Sequence, residues 1–233
     1  MSMTDRGNRR QGRLYAVPAA GLGLVLLGTI GTAGLADSAT ESDGLAAFDP
    51  ELTADVVSVR RAGLTEVAQV LTFIGSMPVL VLLTVVGAIV LRLLTASWRA
   101  PGLLVGAMVG SAITTYALKL AVGRQRPGAD LVLGPPDANS AFPSGHALNS
   151  AVFFGMLAGL MWVGTRSTLA RLAVLTGAVV ISAGIGLSRI YLGYHWATDV
   201  LAGWLAALTW LAIVGTVAYV TRSRSRPDGS PAA

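Results

Sequence analysis

Apolar residues run along this chain in long uninterrupted stretches, not in the shorter alternations of soluble helices and strands. Six stretches approach the roughly 20 residues a helix needs to cross a bilayer: 14–35, 77–94, 101–122, 147–163, 172–187 and 200–220. The fourth and fifth are short, so they are expected to stand nearly upright or to be lengthened by their flanks. Between 54 and 74 the pattern changes. Val56, Val57, Leu64, Val67, Val70 and Leu71 interleave with Arg60, Arg61, Glu66 and Gln69, which predicts either an amphipathic helix on the membrane surface or a helical hairpin extending the second span. The expected fold class is all-α, a six-transmembrane-helix bundle.

Composition agrees with a bilayer as solvent: of 233 residues, 53% are hydrophobic and 12% charged, and the mean hydropathy is +0.65. The formal net charge is +5, but the cations fall in short clusters between apolar runs, so they report topology and no nucleic-acid partner is expected. With no cysteine, disulfides and thiolate chemistry are excluded. Arg6, Arg9, Arg10 and Arg13 precede the first span, Arg92 and Arg99 lie between the second and third, Arg166 and Arg171 between the fourth and fifth, and Arg222, Arg224 and Arg226 follow the sixth. These are alternate gaps of a six-span chain, hence one face. The opposite face receives Asp37, Glu41, Asp43, Asp49, Glu51, Asp55 and Glu66. The positive-inside rule then makes both termini cytoplasmic and the acidic face extracytoplasmic. The expected organisation is a basic cytoplasmic N-terminus (1–13), a membrane domain (14–220) and a cytoplasmic tail (221–233) whose composition predicts no folded structure. The first span also has the look of a secretory leader, although its apolar core is longer than the roughly 7 to 15 residues usual there.

Apart from Arg60 and Arg61 in the 54–74 segment, four cations near the acidic face break the topological pattern: Lys119, Arg124, Arg126 and Arg189. Lys119, the one lysine of the chain, falls in the last turn of the third span, where an unpaired ammonium costs a few kcal/mol. Each cation taken singly is explained by snorkelling, or by pairing with Asp130 or Asp137. Together with the two histidines they suggest more. His146 follows Pro143, Ser144 and Gly145 at the start of the fourth span, where free helix-start amides, a hydroxyl and an imidazole form an anion cradle. His195 precedes Asp199 by four positions, a helical spacing that sets a carboxylate beside the ring to fix its tautomer. That is the base-plus-orienter arrangement of covalent catalysis.

In order, these residues spell Lys119-x6-Arg126-Pro127, then Pro143-Ser144-Gly145-His146, then Ser188-Arg189-x5-His195-x3-Asp199. The set resembles the three-part signature of the type 2 phosphatidic acid phosphatase (PAP2, or lipid phosphate phosphatase) superfamily, which also contains bacterial acid phosphatases and vanadium haloperoxidases. Every signature position is filled, over about a third of the chain. The resemblance implies that Lys119, Arg126 and Arg189 hold the phosphate oxygens with the Ser144 hydroxyl and the Gly145 amide. It implies that His195 is the nucleophile, forming a phosphohistidine, with Asp199 orienting it and His146 as general acid and then base. No metal or other cofactor is implied. Pro127 and Pro143 are expected to bound the connecting loop, and Arg124, outside the signature, to touch a lipid headgroup. Tyr191, Tyr194 and Trp196 suit a headgroup-level position, with Trp196 an interface anchor.

The expected protein is therefore a cell-membrane lipid phosphate or diphosphate phosphatase, its partners being the lipid substrate and the surrounding membrane. Polyprenyl diphosphate is the first substrate candidate, and phosphatidic acid or phosphatidylglycerol phosphate the alternative. A haloperoxidase-like use of the cradle fits poorly with six spans. An anion-binding or transport protein that never turns phosphate over is the non-enzymatic alternative. Gly102 and Gly106 suit either tight packing inside the bundle or a dimer seam.

Overall fold

The computed structural model describes residues 3–224, with side chains from 15 to 222. The basic cluster from Arg6 to Arg13 and the side chains of Arg224 and Arg226 lie outside the described side chains, as does the tail beyond 224. Among the described residues there are eight α-helices and no strand: α1 (Met3–Glu41), α2 (Asp49–Ser58), α3 (Ala62–Ile74), α4 (Met77–Thr95), α5 (Arg99–Val122), α6 (Gly145–Gly164), α7 (Thr168–Tyr191) and α8 (Ala197–Arg224). Six of them, all but α2 and α3, are long and apolar enough to span a membrane.

Every span is longer than its apolar run, because polar residues extend the ends. Ser144 and Ser167 cap α6 and α7 by accepting from the amides of Ala147 and Ala170, satisfying donors that a helix start leaves unpaired. The short fourth and fifth runs are thereby lengthened to 145–164 and 168–191. α1 continues past the apolar run to Glu41. At the end of α5, Gly123 takes the left-handed conformation (φ 64°) and its N–H bonds back to the Lys119 carbonyl. A side chain would strain that turn, which sends Arg124 and Arg126 back over the end of the bundle.

The 54–74 segment is neither one helix nor a simple extension of α4. It breaks at Val59–Arg61 into α2 and α3, and α3 packs on α7. Arg60 fastens the break: Nε donates to the Tyr191 carbonyl (2.9 Å) and Nη2 to that of Leu131 (2.8 Å).

α6 is the central helix, packed on α4, α5, α7 and α8. Its Leu148, Val152, Phe153 and Met156 meet Leu80, Leu104, Met108 and Ala207 in the largest buried cluster. Apolar side chains such as Leu27, Ile30, Leu93, Ile113 and Val180 point outward, as expected where lipid tails replace water. Gly102 and Gly106 also face outward, with nothing near their Cβ positions, so they do not serve packing within the bundle.

The most extensive helix pair is α1 with α8, which makes the first span a structural part of the bundle. It relies on a close approach: a Cβ at Gly28 would lie 2.1 Å from Thr209 Oγ1. Gly28→Val is therefore expected to separate the two helices at a cost of about 1–3 kcal/mol. A lower unfolding temperature in detergent would register it.

Arg92, Arg99, Arg166, Arg171 and Arg222 gather at one end of the bundle. Arg92 stacks on Trp98 (5.2 Å), Arg171 on Trp162 (5.4 Å), and Arg99 Nη2 donates to Thr221 (3.3 Å). Helices α2 and α3, the C-termini of α5 and α7 and the N-termini of α6 and α8 meet at the other end.

Candidate active site

At that second end the three motifs converge. Motif one leaves α5, motif two opens α6 and motif three bridges α7 to α8. Backbone bonds stitch them together: Ala141 N donates to the Arg124 carbonyl (2.8 Å), Ser144 N to that of Asp199 (3.0 Å), and Tyr194 N to that of Arg189 (2.9 Å).

His195, 1% exposed, is held from both sides. Its Nδ1 lies 3.5 Å from Asp199 Oδ2, and its Nε2 lies 3.3 Å from Arg126 Nη1. The first distance is loose for a hydrogen bond, and Nδ1 has no other partner, a geometry common before a substrate tightens a catalytic pair. Burial first, then the charges of Arg126, Arg189 and Lys119, hold this imidazole well below its ordinary value near 6.5. At neutral pH the ring is uncharged, and its Nε2 faces the Arg126 guanidinium.

Asp199 has no exposed surface, and both its oxygens are engaged. Oδ2 accepts from Trp196 N (2.9 Å) and Oδ1 from Arg124 Nη1 (2.7 Å). Arg124 is thus not a headgroup contact. Its guanidinium turns inward, reaching Asp49 Oδ2 (2.8 Å) and Thr198 Oγ1 (2.8 Å) as well, because a buried carboxylate is costly unless a cation pairs with it.

Arg126 and Arg189 converge on one atom. Arg126 Nη1 lies 3.2 Å and Arg189 Nη2 2.9 Å from the same oxygen, Asp137 Oδ2. That oxygen marks where two guanidinium groups can grip an oxyanion beside His195 Nε2. Of the two carboxylates considered from sequence, Asp137 is the one so paired. Arg126 is further braced by the Asn139 carbonyl and side chain (2.8 and 2.6 Å) and the Tyr194 carbonyl (2.6 Å). Arg189, 4% exposed, donates from Nη1 to Thr72 Oγ1 (2.8 Å) and lies over the Tyr194 ring (3.9 Å). Its Nε is buried without a partner.

Lys119 donates to the Ser140 carbonyl and stands within electrostatic reach of Arg126, Asp137, Asp199 and Arg189. Ser144 is fully buried and its oxygen accepts from the Ala147 amide, which leaves its hydroxyl hydrogen free to donate. Gly145 is the first residue of α6. His146 is half-buried, within electrostatic reach of Arg189, His195 and Arg126, with the Thr72 carbonyl facing its ring.

All eight residues singled out from the sequence therefore meet at one end of the bundle. Sequence reasoning missed Asp49, Thr72 and Thr198, as well as the bond from Trp196 Nε1 to the Gln125 carbonyl (2.9 Å), which ties motif three to motif one. Tyr194 is buried within the protein.

The comparisons with known proteins come down to one family. Residues 100–223 match the PAP2 superfamily. The chain belongs to it. Among PAP2 proteins, it is 29% identical over 197 residues to phosphatidylglycerophosphatase B of Bacillus subtilis, covering 81% of this chain and 93% of that one. It is also 29% identical to lipid A 1-phosphatase of Rhizobium johnstonii, over 54% of this chain and 52% of the relative. The crystal structure of a transmembrane PAP2 phosphatidylglycerolphosphate phosphatase from Bacillus subtilis superposes with a TM-score of 0.74 at 24% identity, covering 89% of this chain and 98% of that one. That of Aquifex aeolicus LpxE gives 0.57 at 22% identity, covering 74% and 94%. The six-span PAP2 fold follows from these likenesses.

Asp137 competes with any anion for the two arginines. It is 41% exposed, and an ion pair that solvent can screen contributes at most about 1 kcal/mol. Asp137→Asn is therefore expected to tighten the binding of inorganic phosphate by about fivefold, as calorimetric titration would register.

Proposed function

We propose that this protein hydrolyses the terminal phosphate of a membrane lipid phosphate or diphosphate, with His195 as nucleophile. The observation that carries the reading is the shared grip of Arg126 and Arg189 on one carboxylate oxygen, next to Nε2 of a buried neutral histidine.

In this mechanism a phosphate oxygen takes the position of Asp137 Oδ2, and Lys119, the Ser144 hydroxyl and the Gly145 amide complete the cradle. Fixed cations and helix-start amides stabilise the charge that builds on the equatorial oxygens of a transferring phosphoryl group. His195 Nε2 attacks phosphorus, the bond to the lipid oxygen breaks, and His146 delivers a proton to that oxygen. Asp199 accepts from Nδ1–H and so steadies the cationic phosphoimidazole. Water then attacks the phosphoenzyme, His146 takes its proton, the P–N bond breaks and inorganic phosphate leaves. Three protein cations supply the charge that a metal supplies elsewhere, so no cofactor enters the scheme.

The arginine distribution supports cytoplasmic termini and an extracytoplasmic site. An outward site suits a lipid-carrier diphosphate such as a polyprenyl diphosphate. The Bacillus subtilis relative that spans most of the chain favours phosphatidylglycerol phosphate, and phosphatidic acid shares its chemistry.

Phosphate release from all three lipids and from lipid A 1-phosphate, by purified protein in detergent, tests the reading. Release from at least one of them, undiminished in EDTA and blocked by vanadate, is expected, since vanadate adopts the five-coordinate geometry of the transition state. No release from any would favour an anion-binding protein instead, and loss in EDTA would overturn the metal-free scheme. Because the chain has no cysteine, single cysteines at Asp130 and Arg166 can report sidedness. A membrane-impermeant maleimide should label the first and not the second in intact cells.

A further inference from the structure

We infer that Arg124 and Asp49 form a positioning pair that holds the catalytic carboxylate of Asp199 in register with His195, an assignment that rests on the reaction proposed above. Asp49 begins α2, far from the motifs in sequence, yet it is 2% exposed and carries three bonds into the site. Its Oδ2 accepts from Arg124 Nη2 (2.8 Å) and from the Thr198 hydroxyl, and its Oδ1 accepts from Thr198 N (3.1 Å). Arg124 spans the gap, with Nη1 on Asp199 Oδ1 (2.7 Å) and on Thr198 Oγ1 (2.8 Å).

The consequence is geometric. Asp199 must present Oδ2 to His195 Nδ1, and from the start of its own helix a single bond, from the Trp196 amide to that oxygen (2.9 Å), holds the carboxylate against rotation. Arg124 fixes the other oxygen, and Asp49 fixes Arg124 and the residue immediately before Asp199. One guanidinium between two buried carboxylates leaves a net negative charge behind the imidazole, which favours the cationic ring formed when His195 is phosphorylated. Neither Arg124 nor Asp49 bonds the oxyanion position marked by Asp137, so both act through Asp199. Supporting partners of this kind commonly change activity by about 10- to 100-fold when removed from a site. The arrangement also accounts for the placement of α2, whose first residue delivers the carboxylate that locks Arg124 against Asp199.

Steady-state kinetics of Arg124→Gln, Arg124→Lys, Asp49→Asn and Asp199→Asn, alone and combined, on the lipid of the panel turned over fastest, tests this. Arg124→Gln is expected to lower kcat about 10- to 100-fold with KM within about threefold, Asp49→Asn about 3- to 10-fold, and Arg124→Lys to fall between wild type and Arg124→Gln. Each loss should vanish in the Asp199→Asn background, because groups acting as a unit are not additive. Losses that multiply with that of Asp199→Asn, or a raised KM at unchanged kcat, would overturn the assignment and return Arg124 to substrate binding. Should Arg124→Gln fail to fold, the milder Arg124→Lys and Asp49→Asn decide by the same criterion. An Asp199→Asn protein with wild-type turnover would instead sink the underlying catalytic reading, a result separable from failure of the pair.

Discussion

His195→Gln is expected to abolish turnover, lowering kcat by about four to six orders of magnitude, as loss of a covalent nucleophile does elsewhere. Glutamine roughly keeps the size and polarity of the ring but has no lone pair able to take phosphorus. The cradle of Lys119, Arg126 and Arg189 survives, so vanadate or phosphate binding should persist and separate lost chemistry from lost fold. The pH dependence carries the same signature. Since burial and three neighbouring cations depress the His195 value, the nucleophile stays neutral until the pH falls well below 6.5, and activity is lost only when the ring gains a proton. Arg126→Gln removes the second-largest cause of that depression. The acid limb of kcat/KM should therefore move to higher pH in the variant. Substrate ionisation is common to both proteins and cancels in the comparison. An unmoved limb would mean that His195 is not the group titrating.

His146→Ala is expected to lower kcat by about 10²- to 10⁴-fold, the range for removal of a general acid or base. Its effect should depend on the leaving group. An alkoxide needs a proton as the bond to phosphorus breaks, whereas para-nitrophenolate does not, so the loss in phosphorylation should be large for the lipid and small for para-nitrophenyl phosphate. Breakdown of the phosphoenzyme needs the base for either substrate. Rapid-quench kinetics on the two substrates separates the steps. Equal losses in the first step would remove His146 from proton transfer to the leaving oxygen.

Much of this site was legible because its chemistry is concentrated in residues that have no other business in a membrane. The one lysine, three arginines beside the ends of spans and the two histidines stand out against the apolar runs, and their order matches one family. The spans were legible for the same reason, as continuous apolar runs. Their ends were not, since serine caps and the polar residues past Gly34 extend helices that hydropathy alone would stop. The support of Asp199 was hidden for a different reason. Asp49 is one acid in a loop full of them, and nothing in its local pattern separates a buried partner of Arg124 from a solvated charge. Arg124 was misassigned because sequence position shows that a cation sits at the membrane boundary, not which way the Gly123 turn aims it. Trp196 reads as an interface anchor by type, and only the fold reveals that its indole bonds the Gln125 carbonyl.

Covalent capture of phosphorus by His195 is the central claim, and trapping that adduct tests it most directly. His146→Ala protein mixed with ³²P-labelled para-nitrophenyl phosphate, whose leaving group needs no proton, then quenched within milliseconds and mapped by peptide, should carry label on the peptide containing His195. The bond should be labile in acid and stable in alkali, as a phosphorus–nitrogen bond is. Turnover with no trapped label, or a label resting on His146 or on a carboxylate, would contradict it.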